Sequence, residues 1–302
     1  MKMNFKKTCI ALALAGGFVS VANAAPTVIS SGGTSATIAD SGLFSNFTAL
    51  GLSNGGLEYI NLGTWASNYT LRDSTGIIAT ANQATGSGVS DLSNPFSAVP
   101  FGATADAIST KGSLGGWNIV ATETVSSPGH LVYAITITNN TGHDATDVSW
   151  GFGIDPDQGV PGGFGFGTTN VIDSLGSLAS VTATSSDGYW VSLRNVTGAN
   201  AGDIHTYIDP TACCSPVDPM TIHSAAQPVG SYGFSDSSIN IAYTLGHYHG
   251  ASTHTLMHNG DSSVVGYELV MGAVPEPETY AMFMAGLGLM GFIARRRKNG
   301  QS

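Results

Sequence analysis

The chain has 302 residues, 42% of them hydrophobic and only 10% charged, with 40 glycines, 3 cysteines and a formal charge of −10. Seven of its ten basic residues lie at the two ends, so the stretch from Ala25 to Val274 sets three (Arg72, Lys111 and Arg194) against eighteen acidic residues, a formal charge of −15. Such a surface repels phosphate backbones and excludes nucleic-acid binding, and the recurrent Trp, Tyr and β-branched residues exclude a disordered body.

In chain order, residues 1–24 read as a signal peptide. Lys2, Lys6 and Lys7 precede an apolar run from Ile10 to Val21, and the small residues Ala22 and Ala24 frame a cleavage point before Ala25. This predicts export through the secretion machinery. Cys9 lies before the apolar run rather than at the cleavage point, which argues against a lipid anchor.

The body, residues 25–273, reads as strands. Leu57 to Gly63 and Gly76 to Thr80 begin the series, and Asn94 to Gly102 is either a sub-boundary or a long loop within one continuous domain. Leu131, Tyr133, Ile135 and Ile137 alternate with smaller or polar residues, as do Val148, Trp150, Phe152 and Ile154. With Asn139-Asn140-Thr141-Gly142 between them, the two runs are expected to pair as antiparallel neighbours. The period of two returns at Tyr189 to Leu193, Ile239 to Leu245 and Val265 to Met271, and no segment sustains a helical stripe. The expected fold is all-β, an antiparallel β-sandwich of two packed sheets.

Chemistry has three candidate places. Asp155-Pro156-Asp157-Gln158-Gly159 ends a strand and runs into a glycine-rich stretch decorated by Phe164 and Phe166, so Asp155 and Asp157 could converge on calcium or cap their own turn. No Glu follows at EF-hand spacing. His247, His249, His254 and His258 fall within twelve residues, and a hairpin through Gly250 could gather them for a transition metal or leave them on a polar rim. Cys213 and Cys214 are adjacent, the last cysteines of the mature chain, and are expected to close a vicinal disulfide, with intermolecular pairing or free thiols as alternatives. No catalytic residue is assigned: Asp155, Asp157, Asp203, Asp209 and Asp218 are eligible carboxylates with no spacing rule to choose among them. Trp65, Trp117, Trp150 and Trp190 could include an exposed carbohydrate platform, although Trp150 alternates as core.

Residues 274–302 are a second address. Pro275-Glu276-Pro277 is followed by an apolar run predicted to be a helix over Thr279–Ala294, and then by Arg295, Arg296, Arg297 and Lys298, which resist crossing a bilayer. At 1.5 Å per residue the helix would span roughly 24 Å, against a hydrocarbon core of ~30 Å, which suits a temporary transmembrane helix. The order of these parts resembles the PEP-CTERM sorting signal of Gram-negative bacteria. The stretch from Leu131 to Gly159, with its Asp-Pro-Asp-Gln loop, is similar to the body of a subset of such proteins for which no activity is established. The resemblance implies transient inner-membrane anchoring, exosortase as a partner, cleavage near Pro-Glu-Pro, and residence at the cell surface or in the exopolysaccharide matrix. The functional expectation is a non-enzymatic structural, carbohydrate-binding or metal-binding module of biofilm or exopolysaccharide, with a carbohydrate-active enzyme or a metal-sequestering protein as the alternatives.

Overall fold

A computed structural model describes residues 27–49, 57–58, 65–84, 94–127, 129–160, 163–197, 203–211, 215–225, 227–248, 254–273, 284–285, 287 and 290. Ala22, Ala24, Cys213, Cys214, His249, Pro275, Glu276, Pro277, Arg295, Arg296 and Arg297 lie outside the described residues.

The body is built of antiparallel sheets. A nine-stranded sheet runs, edge to edge, through Gly230–Ser235, Thr168–Ser174, Ser180–Ser185, Tyr189–Asn195, Ser262–Ala273, His130–Asn139, Trp117–Ser127, Ala107–Leu114 and Val99–Ala103. A five-stranded sheet runs through Ile204–Asp209, Ser238–Thr244, Ser149–Ile154, Trp65–Asp73 and Gly76–Ala84. Thr27–Ser31, Thr34–Ile38, Phe44–Ala49 and Leu57–Glu58 form a smaller sheet, and Ala145–Thr146, Thr255–Met257 and His247–Tyr248 form a short one.

The two large sheets bury their alternating residues against each other. Trp150, Phe152, Ile154, Ile239, Ile241 and Tyr243 point inward from one; Leu131, Tyr133, Ile135, Val265, Tyr267 and Leu269 meet them from the other. Tyr133 and Tyr267 are cross-strand partners with ring centroids 4.8 Å apart, and Phe152 stacks on Tyr267 at 4.2 Å. Each such aromatic contributes roughly 1.5–3 kcal/mol by burial, so the inter-sheet layer is a main source of the fold's stability.

Two expectations need correction. The runs 131–137 and 148–154 are not neighbours: His130–Asn139 pairs with Trp117–Ser127 and Ser262–Ala273, whereas Ser149–Ile154 pairs with Ser238–Thr244 and Trp65–Asp73. The intervening segment crosses between sheets instead of closing a hairpin, and Tyr133 faces Phe152 at 5.4 Å across the core. Asn139 is occupied in shaping this crossover, donating from Nδ2 to the carbonyls of His143 and Met257 and accepting from Thr141 N. Second, the body contains a helix, Pro219–Ala225, capped by Asp218, whose Oδ1 accepts from Met220 N at 2.9 Å. At seven residues it is too short for a helical stripe to be legible.

In the tail, Met284, Ala285, Leu287 and Met290 are described, all helical and exposed. Among the described residues no helix is long and apolar enough to cross a membrane, so the expected transmembrane helix is not supported by the structure.

Candidate metal centre

Strand register brings three carboxylates together. Ser149–Ile154 and Ser238–Thr244 pair antiparallel, with Ile154 opposite Ile239. Both chains leave the ladder at this end, the first into Asp155 and Asp157, the second from Asp236. Carrying the ladder three residues further would set Asp157 opposite Asp236. One ligand oxygen from each of Asp155, Asp157 and Asp236 lies within 4.8 Å of the others, the one grouping of three or more acidic, His or Cys side chains among the described residues that could share an ion.

The turn is fixed by its own backbone: Asp157 N donates to Asp155 O (3.1 Å) and Val160 N to Asp157 O (3.0 Å). Asp155 and Asp157 are each 1% exposed, whereas Asp236 faces solvent, so the group opens on the Asp236 side. Partial desolvation of its carboxyl pushes the Asp236 pKa upward. Gln158, in the same turn, is fully buried; its Nε2 donates to Ala183 O (2.8 Å) and Tyr189 O (3.2 Å), while its Oε1 has no hydrogen-bond partner.

Three carboxylate oxygens this close repel one another by roughly 3 kcal/mol per pair at an effective dielectric of about 20. Hydrogen-bond donors, a proton or a cation can offset that. The three basic residues of the body are committed elsewhere: Arg72 Nη1 donates to both oxygens of Asp218 (2.8 and 2.7 Å), Arg194 bonds Glu268, and Lys111 lies over the ring of Phe101. The donor set is all oxygen, the chemistry of a hard cation such as calcium.

The glycine-rich loop folds back over this turn. Phe164 N donates to Gly159 O (2.9 Å), and a Cβ on Gly159 would meet Phe164 Cβ at 3.4 Å and Ser185 Cβ at 3.2 Å. Phe234, two residues before Asp236, lays its ring over Gly167, where a Cβ would meet Cε1 at 2.5 Å. Phe164, Phe166 and Phe234 remain 52%, 49% and 58% exposed.

The histidines are arranged differently. His247–Tyr248 and Thr255–Met257 do pair antiparallel, with His247 opposite Leu256. His254 and His258 are each claimed by a separate carboxylate: His254 Nδ1 lies 2.7 Å from Asp147 Oδ2 and His258 Nδ1 lies 2.9 Å from Asp144 Oδ2. Each of these aspartates also accepts the next backbone N–H, from Thr255 and Asn259 respectively. Asp147 does so from a left-handed backbone conformation, φ 52°.

A polar cluster that sequence reading missed lies under the helix. His223 is partly buried, edge-on to His205 with centroids 5.0 Å apart, its Nε2 3.5 Å from Thr244 Oγ1. Desolvation, then the neighbouring His205, lowers its pKa to about 4, so the ring stays neutral. Trp117 and Trp150 are buried and Trp190 lies over Gly272, so Trp117 and Trp150 offer no exposed platform.

These features define a mostly β body with a cluster of three carboxylates at one end of the five-stranded sheet. Residues 273–298 match the PEP-CTERM protein-sorting motif, which implies a chain exported and sorted to the surface by exosortase. A search of curated protein sequences found no match. Among solved structures the chain is similar to a polysaccharide lyase (14% identity, 85% of this chain and 33% of that one, TM-score 0.41) and to an aldose epimerase homologue from C. elegans (10% identity, 83% and 100%, TM-score 0.44). It is also similar to a heparan sulfate lyase from Pedobacter heparinus (6% identity, 80% and 30%, TM-score 0.37). The chain spans about a third of the length of each lyase. At such scores the likeness carries no argument about activity.

Proposed function

We infer that the chain is a non-enzymatic surface or matrix protein, delivered by exosortase after transient inner-membrane anchoring, whose acidic β-sandwich takes up calcium and resides among exopolysaccharides. The observation that carries the calcium reading is the convergence of Asp155, Asp157 and Asp236 within 4.8 Å while Arg72, Lys111 and Arg194 are all engaged elsewhere. Asp155 and Asp157 would hold the ion from the buried side and Asp236 from the solvent side. Bridging the ends of two neighbouring antiparallel strands, the ion would lock the turn after Ile154 to the turn before Ser238. The Pro-Glu-Pro tail supports delivery, because a short apolar run of sequence followed by Arg295, Arg296 and Arg297 suits a holding segment.

Calorimetry of the exported protein with calcium should give one site per chain, removed by Asp157→Asn with Asp236→Asn. At calcium one hundred times its Kd the folded state gains about 2.7 kcal/mol, read as a higher melting temperature that EDTA reverses. Less than about a tenth of an equivalent of bound calcium after dialysis against it would sink the reading. For delivery, intact mass of surface-exposed protein should show ends near Ala25 and Pro275. An intact arginine tail on all of it would count against sorting.

A further inference from the structure

The cation centre does not stand alone on its surface. A calcium ion takes six to eight oxygens, and one oxygen each from Asp155, Asp157 and Asp236 leaves about three to five positions, open on the side where Asp236 meets solvent. Gln158 Oε1, buried in the same turn and without a hydrogen-bond partner, is a further oxygen suited to a cation or a donor. Close by along the chain are three half-exposed phenylalanine rings, Phe164 and Phe166 on the loop where Phe164 N donates to Gly159 O, and Phe234 two residues before Asp236. Exposed aromatic faces bind the apolar faces of ring-shaped, hydroxylated molecules, and an unsaturated calcium binds their hydroxyl oxygens.

Charge chooses the class of ligand. Three carboxylates and one calcium ion leave the centre net negative, in a body of formal charge −15 whose basic residues are all committed elsewhere. An anionic polymer, although its carboxylates can ligate calcium, meets the repulsion of this acidic body, whereas a neutral vicinal diol can complete the coordination without adding charge. We propose that Asp155, Asp157 and Asp236, through calcium, together with Phe164, Phe166 and Phe234, form a calcium-dependent binding site for a neutral polysaccharide, two adjacent sugar hydroxyls on the ion and the sugar face on the rings. This rests on the calcium reading above and goes beyond it in naming the ligand class.

The test uses the full exported protein with two probes, a mannan oligosaccharide and an acidic polygalacturonate oligomer, each titrated with calcium and with EDTA. The mannan oligosaccharide should bind with calcium only, and the acidic oligomer more weakly. Phe164→Ala with Phe166→Ala should weaken mannan binding about tenfold, since two lost stacking contacts of the usual strength amount to that, while calcium affinity changes less than about twofold. Both rings are on an exposed loop, and unchanged calcium affinity reports that the turn beneath is intact. Failure of calcium to bind overturns the calcium reading and this proposal together. Calcium binding without mannan binding, mannan binding that survives EDTA, tighter binding of the acidic oligomer, or full mannan affinity in the double variant each overturns the proposal alone.

Discussion

Phe152 and Tyr267 stack with ring centroids 4.2 Å apart, one from the centre of each large sheet, and Tyr133 packs against both. All three are fully buried. Phe152→Ala removes a ring that no neighbour can replace without moving a strand, and should cost about 3–5 kcal/mol, read as a lowered denaturant midpoint with unchanged slope. A loss under about 1 kcal/mol would show that the sheets collapse onto the gap.

Glu123 is a carboxylic acid in this same core layer. It is fully buried, and desolvation, only partly opposed by a backbone hydrogen bond, raises its pKa well above 4.5. The acid is therefore favoured in the folded state. Its contribution is fully present below pH 4.5 and is lost as pH rises toward the raised folded value. Glu123→Gln should flatten the fall in stability on the alkaline side, and a variant whose stability profile matches the parent at every pH would refute this.

Two histidines act with opposite sign in acid. His223, with its pKa lowered to about 4, disfavours the folded state progressively as pH falls below 6.5. His258, raised by Asp144, favours it below 6.5 and loses that contribution as pH rises through its folded value, while Asp144, lowered from 3.8, contributes above 3.8 and loses it as pH falls through its own lowered pKa. The His258 latch is therefore strongest between those two limits. Both members are on the surface, so its effect is read by titration: proton NMR should find the His258 pKa above 6.5 and Asp144→Asn should return it toward that value. An unmoved value would remove Asp144 as the cause.

Arg72 joins the central sheet to the capped helix through its two bonds to Asp218. Arg72→Met leaves a partly buried carboxylate without its partner and should cost about 2 kcal/mol; adding Asp218→Asn should recover part of it. In a double-mutant cycle, strict additivity would mean the pair contributes nothing.

The inward and outward alternation of this fold was readable because a buried face leaves a period of two in Val148 to Ile154 and Val265 to Met271. Pairing was not readable, since both Leu131 to Ile137 and Val148 to Ile154 are apolar enough to be neighbours or to face each other. The same ambiguity hid Asp236. Asp155 and Asp157 announce themselves around a proline, but Asp236 joins them only through the Ile154–Ile239 register, which no local pattern encodes. The helix Pro219–Ala225 and the His205–His223 contact were silent for a related reason, because about two turns leave too few residues to display a stripe.

The strand Ser262–Ala273 lies in the interior of the nine-stranded sheet, bonded along His130–Asn139 on one side and Tyr189–Asn195 on the other, and the sorting motif begins at residue 273 where that strand ends. Any pull transmitted through the tail therefore enters the body along a twelve-residue strand clamped on both flanks. Such a geometry loads the ladder bonds together in shear, where peeling an edge strand would break them one at a time. The chain is thus hung from an interior strand, so that while the tail is held, drag on the sandwich would be borne by the middle of the sheet.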